Sequence, residues 1–118
     1  MPNPVVHFEI VGKDQKVLDA FYKAVFDWQL TPVMPIYSMV AKEEGGIGGG
    51  IGAFVDTPDY VTVYVEVQDF AATVARIESS GGKKLFGPHQ LPDGTGVIGM
   101  FTDPEGHTLG LIQHTTKN

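Results

Sequence analysis

Val5-Val-His-Phe-Glu-Ile-Val11 is the first stretch of the chain with strong β propensity, and Tyr60-Val-Thr-Val-Tyr-Val-Glu-Val67 is its counterpart half a chain later. Side chains alternate between the two faces of a strand, so the first stretch has one uniformly apolar face and one face that carries His7 and Glu9. Glu66 occupies the same place in the second stretch. Two strands of similar design therefore open the two halves of the chain.

A helical pattern follows each of these strands. Asp14 is a candidate N-cap of the first helix, whose apolar residues recur with helical spacing and end near Phe26-Asp27-Trp28. Asp19 falls on the polar side of this pattern. Asp69 is the candidate N-cap of the second helix, and Gly81-Gly82 ends it.

Further strands are predicted after each helix, at residues 37–42, 47–54, 83–86, 96–102 and 108–114. Both halves thus run strand, helix, then two or three strands, which indicates an internal repeat. We predict one α+β domain over residues 1–118, with two tandem modules of this kind at about 4–56 and 59–115. The modules are expected to form a curved mixed sheet around a cleft, with the helices outside.

Composition excludes several classes of function. The formal net charge is −6, with no basic cluster beyond Lys83-Lys84, which argues against nucleic acid and anionic membranes as partners. The absence of cysteine excludes disulfides, thiolate metal sites and cysteine nucleophiles. Met1-Pro-Asn-Pro4 lacks the features of a signal peptide, and no apolar run reaches the length of a membrane span, so a cytoplasmic location is expected.

Several motifs together resemble the vicinal-oxygen-chelate superfamily. They are Val6-His-Phe-Glu-Ile10, Ala20-Phe-Tyr22, Val25-Phe-Asp-Trp28, Gly45-Gly-Ile-Gly-Gly-Gly-Ile51 and Phe101-Thr-Asp-Pro-Glu-Gly106. This superfamily contains glyoxalase I, extradiol dioxygenases, methylmalonyl-CoA epimerase, fosfomycin-modifying enzymes and bleomycin-binding proteins. The resemblance implies βαβββ modules, a homodimer, and in the metal enzymes a divalent ion held by His, Glu or Gln.

The sequence departs from the metal-ligand pattern that the resemblance implies. His7 matches the first ligand position, but the second falls on Thr62, the acidic position on the last strand falls on Gly110, and its counterpart in the first half lies near Gly48. Catalytic zinc sites normally use about three protein ligands. A single surviving ligand therefore puts glyoxalase I or dioxygenase activity in doubt.

Two interpretations of the acidic residues remain open. His7, Glu9 and Glu66 form a rebuilt site for a divalent metal in the first, because imidazole and carboxylate suit a hard or borderline cation. The carboxylates are solvated or hydrogen-bonded near the strand ends in the second.

The glycine run also has two interpretations. Glycine in a strand often marks the close approach of a ligand or another backbone. Bare positions at Gly48, Gly50 and Gly110 are expected to widen the cleft, and tight packing against the other half is the alternative. Trp28 is favoured as core, with Phe101 either core or lining, and His114 is a better site candidate than His89, which is assigned to a loop.

We expect a metal-independent binder of a small, partly apolar molecule in the sheet cleft, with no cofactor. The alternatives are a metal-dependent lyase, isomerase or dioxygenase using His7, Glu9 and Glu66, and a non-catalytic dimeric interaction module. A homodimer is expected in each case. The candidate ligand-binding residues are His7, Glu9, Tyr37, Met39, Gly48, Gly50, Thr62, Tyr64, Glu66, Phe101, Gly110 and His114.

Overall fold

The computed structural model of the chain describes residues 2–115. Eight strands and two helices follow one another in the order β1 (Val5–Gly12), α1 (Gln15–Phe26), β2 (Leu30–Met34), β3 (Tyr37–Val40), β4 (Gly48–Ala53), β5 (Tyr60–Glu66), α2 (Phe70–Ser79), β6 (Lys83–Gln90), β7 (Gly96–Thr102) and β8 (Thr108–His114). The predicted α+β class with repeated βαβββ order is confirmed.

The chain divides into two compact units, which are described separately. The first unit is His7–Thr62, and the second combines the residues up to Val6 with those from Val63 onward. In the first unit the strand order is β2-β3-β4-β1, and in the second it is β5-β8-β7-β6. Each unit mixes one parallel pair, β1 with β4 or β5 with β8, with antiparallel pairs among its other strands.

The helix boundaries follow from the residues that cap them. The Asp14 side chain accepts a hydrogen bond from the backbone N–H of Val17 at 3.1 Å, and Asp69 accepts one from Ala72 at 3.0 Å. Both aspartates thereby satisfy an N–H group that the first helical turn leaves without a partner. Asp27 ends α1 in the left-handed conformation, with φ of 59°. The predicted N-caps are confirmed.

Proline explains where the predicted strands were wrong. β2 was not predicted, because Pro32 lies inside it, and β6 continues past Pro88 to Gln90, so His89 lies on a strand instead of a loop. Proline has no N–H to donate to a sheet and is therefore confined to edge strands. Both β2 and β6 are the outermost strands in the order of their units.

Helix α1 attaches to the sheet of the first unit through polar groups. The hydroxyl of Ser38, on β3, donates to Asp19 at 2.7 Å, and the Gln15 amide donates to the Ile51 carbonyl at 2.9 Å. The prediction that Asp19 lies on the outer polar side is wrong. Because Ser38 is almost fully buried, its hydroxyl needs a partner, and Asp19 supplies one.

Candidate functional site

A buried carboxylate is the centre of the candidate site. Glu9 is only 7% exposed, and both of its oxygens accept hydrogen bonds within the first unit. The Tyr37 hydroxyl donates to Oε2 at 2.8 Å, and the Tyr60 hydroxyl donates to Oε1 at 2.7 Å. A carboxylate buried in protein is stabilised only when such donors replace its water, and hydrogen bonds to charged groups are stronger than neutral ones.

His7 extends this arrangement along β1. Its Nε2 lies 3.5 Å from the Tyr37 hydroxyl oxygen, two residues before Glu9 on the same strand face. The single hydroxyl proton of Tyr37 is used on Glu9, so a hydrogen bond at this contact requires the proton on His7 Nε2. We call His7, Glu9, Tyr37 and Tyr60 the Glu9 cluster.

Burial shifts the proton affinities of two members of the Glu9 cluster. It lowers the pKa of His7 below its ordinary value, an effect that the negative charge of Glu9 partly offsets. Burial, the hydrogen bond to Glu9 and the charge of Glu9 all raise the pKa of Tyr60 well above its usual range. At neutral pH the cluster therefore combines the uncharged imidazole of His7 with the protonated phenol of Tyr60.

Strand β4 carries the glycines on which Tyr37 rests. A Cβ atom at Gly50 would overlap the Tyr37 hydroxyl and ring, and one at Gly52 would lie 2.9 Å from Tyr37 Cδ1 and from Phe54 Cζ. The Tyr37 and Phe54 rings are stacked, with centroids 6.3 Å apart and planes inclined by 5°. The bare position at Gly50 is thus real, but a tyrosine of the chain occupies it.

Gly48 behaves differently from Gly50. A Cβ atom there would lie 3.2 Å from the carbonyl oxygen of Val40, so the nearest neighbour is backbone. Val40 belongs to the same unit as Gly48, so this packing lies within the first unit, and the predicted packing of the glycine run against the other half stays a prediction. Met39, which pairs with Gly50 across β3 and β4, is exposed, and Thr62 is buried within the first unit.

The second unit holds the remaining candidate residues in a different arrangement. The carboxylate of Glu66 and Nδ1 of His114 are in close contact, and both side chains are more than one third exposed. The buried Tyr64 ring covers Gly110, its register partner on β8. The space that glycine was expected to open at Gly110 is therefore filled by this ring.

Phe101 is partly buried and packs against the hydrophobic core that Val67, Phe70 and Leu111 form in the second unit. This contact agrees with the core interpretation of Phe101, and its assignment as a ligand-binding residue stays a prediction. Trp28 likewise packs among aromatic rings, stacking on Tyr22 with centroids 5.2 Å apart.

The donor set does not fit a divalent metal ion. In residues 2–115, no group of three His, Cys, Asp or Glu side chains converges in a way that could hold one. Glu9 uses both oxygens to accept phenol hydroxyls, and Glu66 is engaged by His114. Within the first unit, no third His, Cys, Asp or Glu side chain joins His7 and Glu9. Glu66 belongs to the second unit, so the predicted metal site that combines all three residues stays a prediction.

Tyr60 is the residue of the cluster that sequence reasoning missed. It shares strand parity with Thr62, Tyr64 and Glu66, all of which were candidates. Extending the alternation by one more step toward the start of β5 would have included it. Tyr60 was omitted from the candidates because it is the first residue of the strand, where the alternation pattern begins.

The chain belongs to the glyoxalase-like domain family, whose sequence profile matches residues 8–112. This match confirms the resemblance to the vicinal-oxygen-chelate superfamily that the sequence motifs indicated. A probable lactoylglutathione lyase of Synechocystis sp. (strain ATCC 27184 / PCC 6803 / Kazusa) is 37% identical over 51 residues, which are 43% of this chain. The match spans only 39% of that relative's length.

Solved structures with the same fold include methylmalonyl-CoA epimerases. A variant of the Streptomyces coelicolor enzyme, in complex with 2-nitronate-propionyl-CoA, has a TM-score of 0.74 at 16% identity and covers 98% of this chain and 97% of that one. The Mycobacterium tuberculosis enzyme has a TM-score of 0.72 at 15% identity, over 95% of this chain and 88% of that one. At such identities the likeness shows the fold alone.

No helix within residues 2–115 has the length and apolar character needed to cross a membrane.

Proposed function

We propose that this chain is a metal-independent glyoxalase-like protein that binds a small, partly apolar molecule at the Glu9 cluster. The observation that carries the proposal is the buried Glu9 carboxylate with a tyrosine hydroxyl on each oxygen. Burying a charge in such a network rarely increases stability, and groups with shifted pKa values concentrate at functional sites. A polar cluster of this kind beside aromatic rings is typical of small-molecule sites.

Metal independence is supported by the chemistry of the donors. A metal ion at Glu9 would have to displace at least one charge-assisted hydrogen bond from a phenol. His7 would be its only imidazole ligand in the cluster, and a lone imidazole with one carboxylate holds a divalent ion weakly.

Elemental analysis of the purified, tag-free protein tests this proposal. We expect far less than one metal ion per chain, and no change in melting temperature when Ni²⁺, Zn²⁺, Mn²⁺ or Fe²⁺ is added. The matched control is His7→Ala, which should give the same result as the natural protein. A stoichiometric metal that is lost in His7→Ala would contradict the proposal.

We also propose that the protein works as a homodimer in the cytoplasm. The dimer is supported by the sequence resemblance, and the location by the cysteine-free, acidic composition. Light scattering coupled to size-exclusion chromatography should give twice the chain mass of 12.7 kDa, and cell fractionation should recover the protein with the cytosol. A mass equal to one chain would contradict the dimer.

A further inference from the structure

We propose that the Glu9 cluster recognises a phenol group, and that the Tyr37 side chain is an internal occupant which a phenolic ligand replaces. This inference names the ligand class of the proposed function and rests on it. The inference rests on the contacts that the Tyr37 phenol makes with Glu9, Gly50, Gly52 and Phe54.

Three features of the Tyr37 environment are those that a free phenol would need. A buried carboxylate oxygen accepts the hydroxyl proton at 2.8 Å. Gly50 and Gly52 leave room for the ring, because neither has a Cβ atom to block it. Phe54 stacks on one face of the ring. The site is thus shaped for an aromatic ring with a hydroxyl group at one end.

The contacts of Glu9 explain why the site would select a phenol over an aromatic hydrocarbon. Tyr60 donates to Oε1 of Glu9 at 2.7 Å and comes from a different strand, so Glu9 stays oriented when the Tyr37 hydroxyl leaves. When Tyr37 leaves, Glu9 loses one charge-assisted hydrogen bond, which an incoming hydroxyl can restore. An aromatic hydroxyl supplies the donor of that hydrogen bond, whereas an aromatic hydrocarbon does not.

The position of Tyr37 is compatible with exchange. It is the first residue of β3, directly after the turn from β2, and its side chain is only half-buried. Its register partners are Met34 and Gly52, at the ends of the β2–β3 and β3–β4 ladders. The apparent affinity for an external phenol is reduced by the fraction of molecules in which Tyr37 fills the site.

The experiment uses p-cresol, which has the shape of the tyrosine side chain, and toluene, which is the same molecule without the hydroxyl. Binding is measured by calorimetry to the full chain and to Tyr37→Ala, Tyr37→Phe and Tyr37→Ala/Glu9→Gln. Folding of each variant is checked by circular dichroism. If Tyr37→Ala does not fold alone, refolding with p-cresol or toluene provides the same comparison.

Removing the internal occupant should raise the affinity for p-cresol by about tenfold over the natural chain. Tyr37→Phe should show no gain, because its ring still fills the space over the glycines. In Tyr37→Ala, toluene should bind about tenfold more weakly than p-cresol, and Glu9→Gln should remove most of that difference. Refolding of Tyr37→Ala should be rescued by p-cresol and not by toluene.

Two outcomes would overturn the inference: equal binding of p-cresol and toluene by Tyr37→Ala, or equal p-cresol affinity in Tyr37→Ala and the natural chain. Both can occur in a metal-free protein, so they contradict the phenol assignment alone. A stoichiometric metal in the natural chain would contradict the proposed function instead. The two failures are therefore distinguishable.

Discussion

Glu9 and Glu66 occupy equivalent places in the two units, yet their surroundings are opposite. Each is the carboxylate on the first strand of a module, followed by a β-branched residue and then the approach to a helix. Glu9 is buried and accepts hydroxyl protons from Tyr37 and Tyr60. Glu66 is partly exposed and pairs with the imidazole of His114.

The neighbouring strand explains this difference. Glu9 has Gly50 as its register partner, whereas Glu66 has Ile112. The bare position at Gly50 admits the Tyr37 ring, whereas the equivalent position in the second unit carries the branched side chain of Ile112. The absence of a side chain at Gly50 is therefore what allows a phenol to reach Glu9.

Size complementarity extends one register step further. In the first unit, the large Tyr37 on β3 faces the small Gly52 on β4. In the second unit, the small Gly96 on β7 faces the larger His114 on β8. The larger residue of this pair thus lies on β3 in the first unit and on β8 in the second. Among the described residues, an aromatic hydroxyl donates to Glu9, whereas Glu66 contacts the imidazole of His114.

Gly50→Ala should have the largest effect, because it closes the space that separates the two arrangements. The new methyl group would overlap the Tyr37 hydroxyl and ring, which could move away only by breaking the hydrogen bond to Glu9. We expect a loss of about 2 kcal/mol in the free energy of unfolding. Urea denaturation measures it.

Gly46→Ala is the matched control for Gly50→Ala. A Cβ atom at Gly46 would have only the Glu43 carbonyl oxygen nearby, at an ordinary 3.6 Å. Its effect should stay within about 0.5 kcal/mol. Equal effects for the two variants would show that Gly50 is not needed to seat Tyr37.

The fold was predictable because its signals are local and repeated. The alternation of side chains in β1 and β5 and the N-caps Asp14 and Asp69 each specify structure within a few residues. The edge strand β2 was not predictable, because a proline in the middle of a short segment is a signal against a strand. Only its place at the edge of the order makes proline acceptable there.

The site was predictable in part. The alternation of side chains along β1 predicted that His7 and Glu9 lie on one face of the strand. It could not show that the Tyr37 side chain would cross over Gly50 to reach Glu9. That contact depends on the register between β3, β4 and β1, which a single sequence does not contain. The same limitation concealed the engagement of Glu66 by His114 at the end of β8.

Glu9→Gln and Glu66→Gln compare the two carboxylates directly. The glutamine side chain keeps the shape at position 9 but offers one acceptor oxygen where two hydroxyls now donate. We expect Glu9→Gln to lose about 1 kcal/mol or more of unfolding free energy, and Glu66→Gln less than about 0.5 kcal/mol, because exposed ion pairs contribute little. Urea denaturation at neutral pH measures both, and a larger loss in Glu66→Gln would reverse the comparison.

The smallest expected effect is the response of the first unit to acid through His7. Burial lowers the pKa of His7 below 6.5, so the unfolded chain takes up a proton before the folded chain does as the pH falls. Stability should therefore decrease as the pH falls below about 6.5, and the loss should be complete once the folded chain is also protonated. Histidine titration by NMR gives the pKa, and urea unfolding between about pH 7.5 and 5 gives the slope. His7→Gln should flatten that slope, because glutamine has no proton to gain in this pH range. If His7→Gln and the natural chain showed the same slope, the pKa of His7 would not change on folding, and the prediction would be wrong.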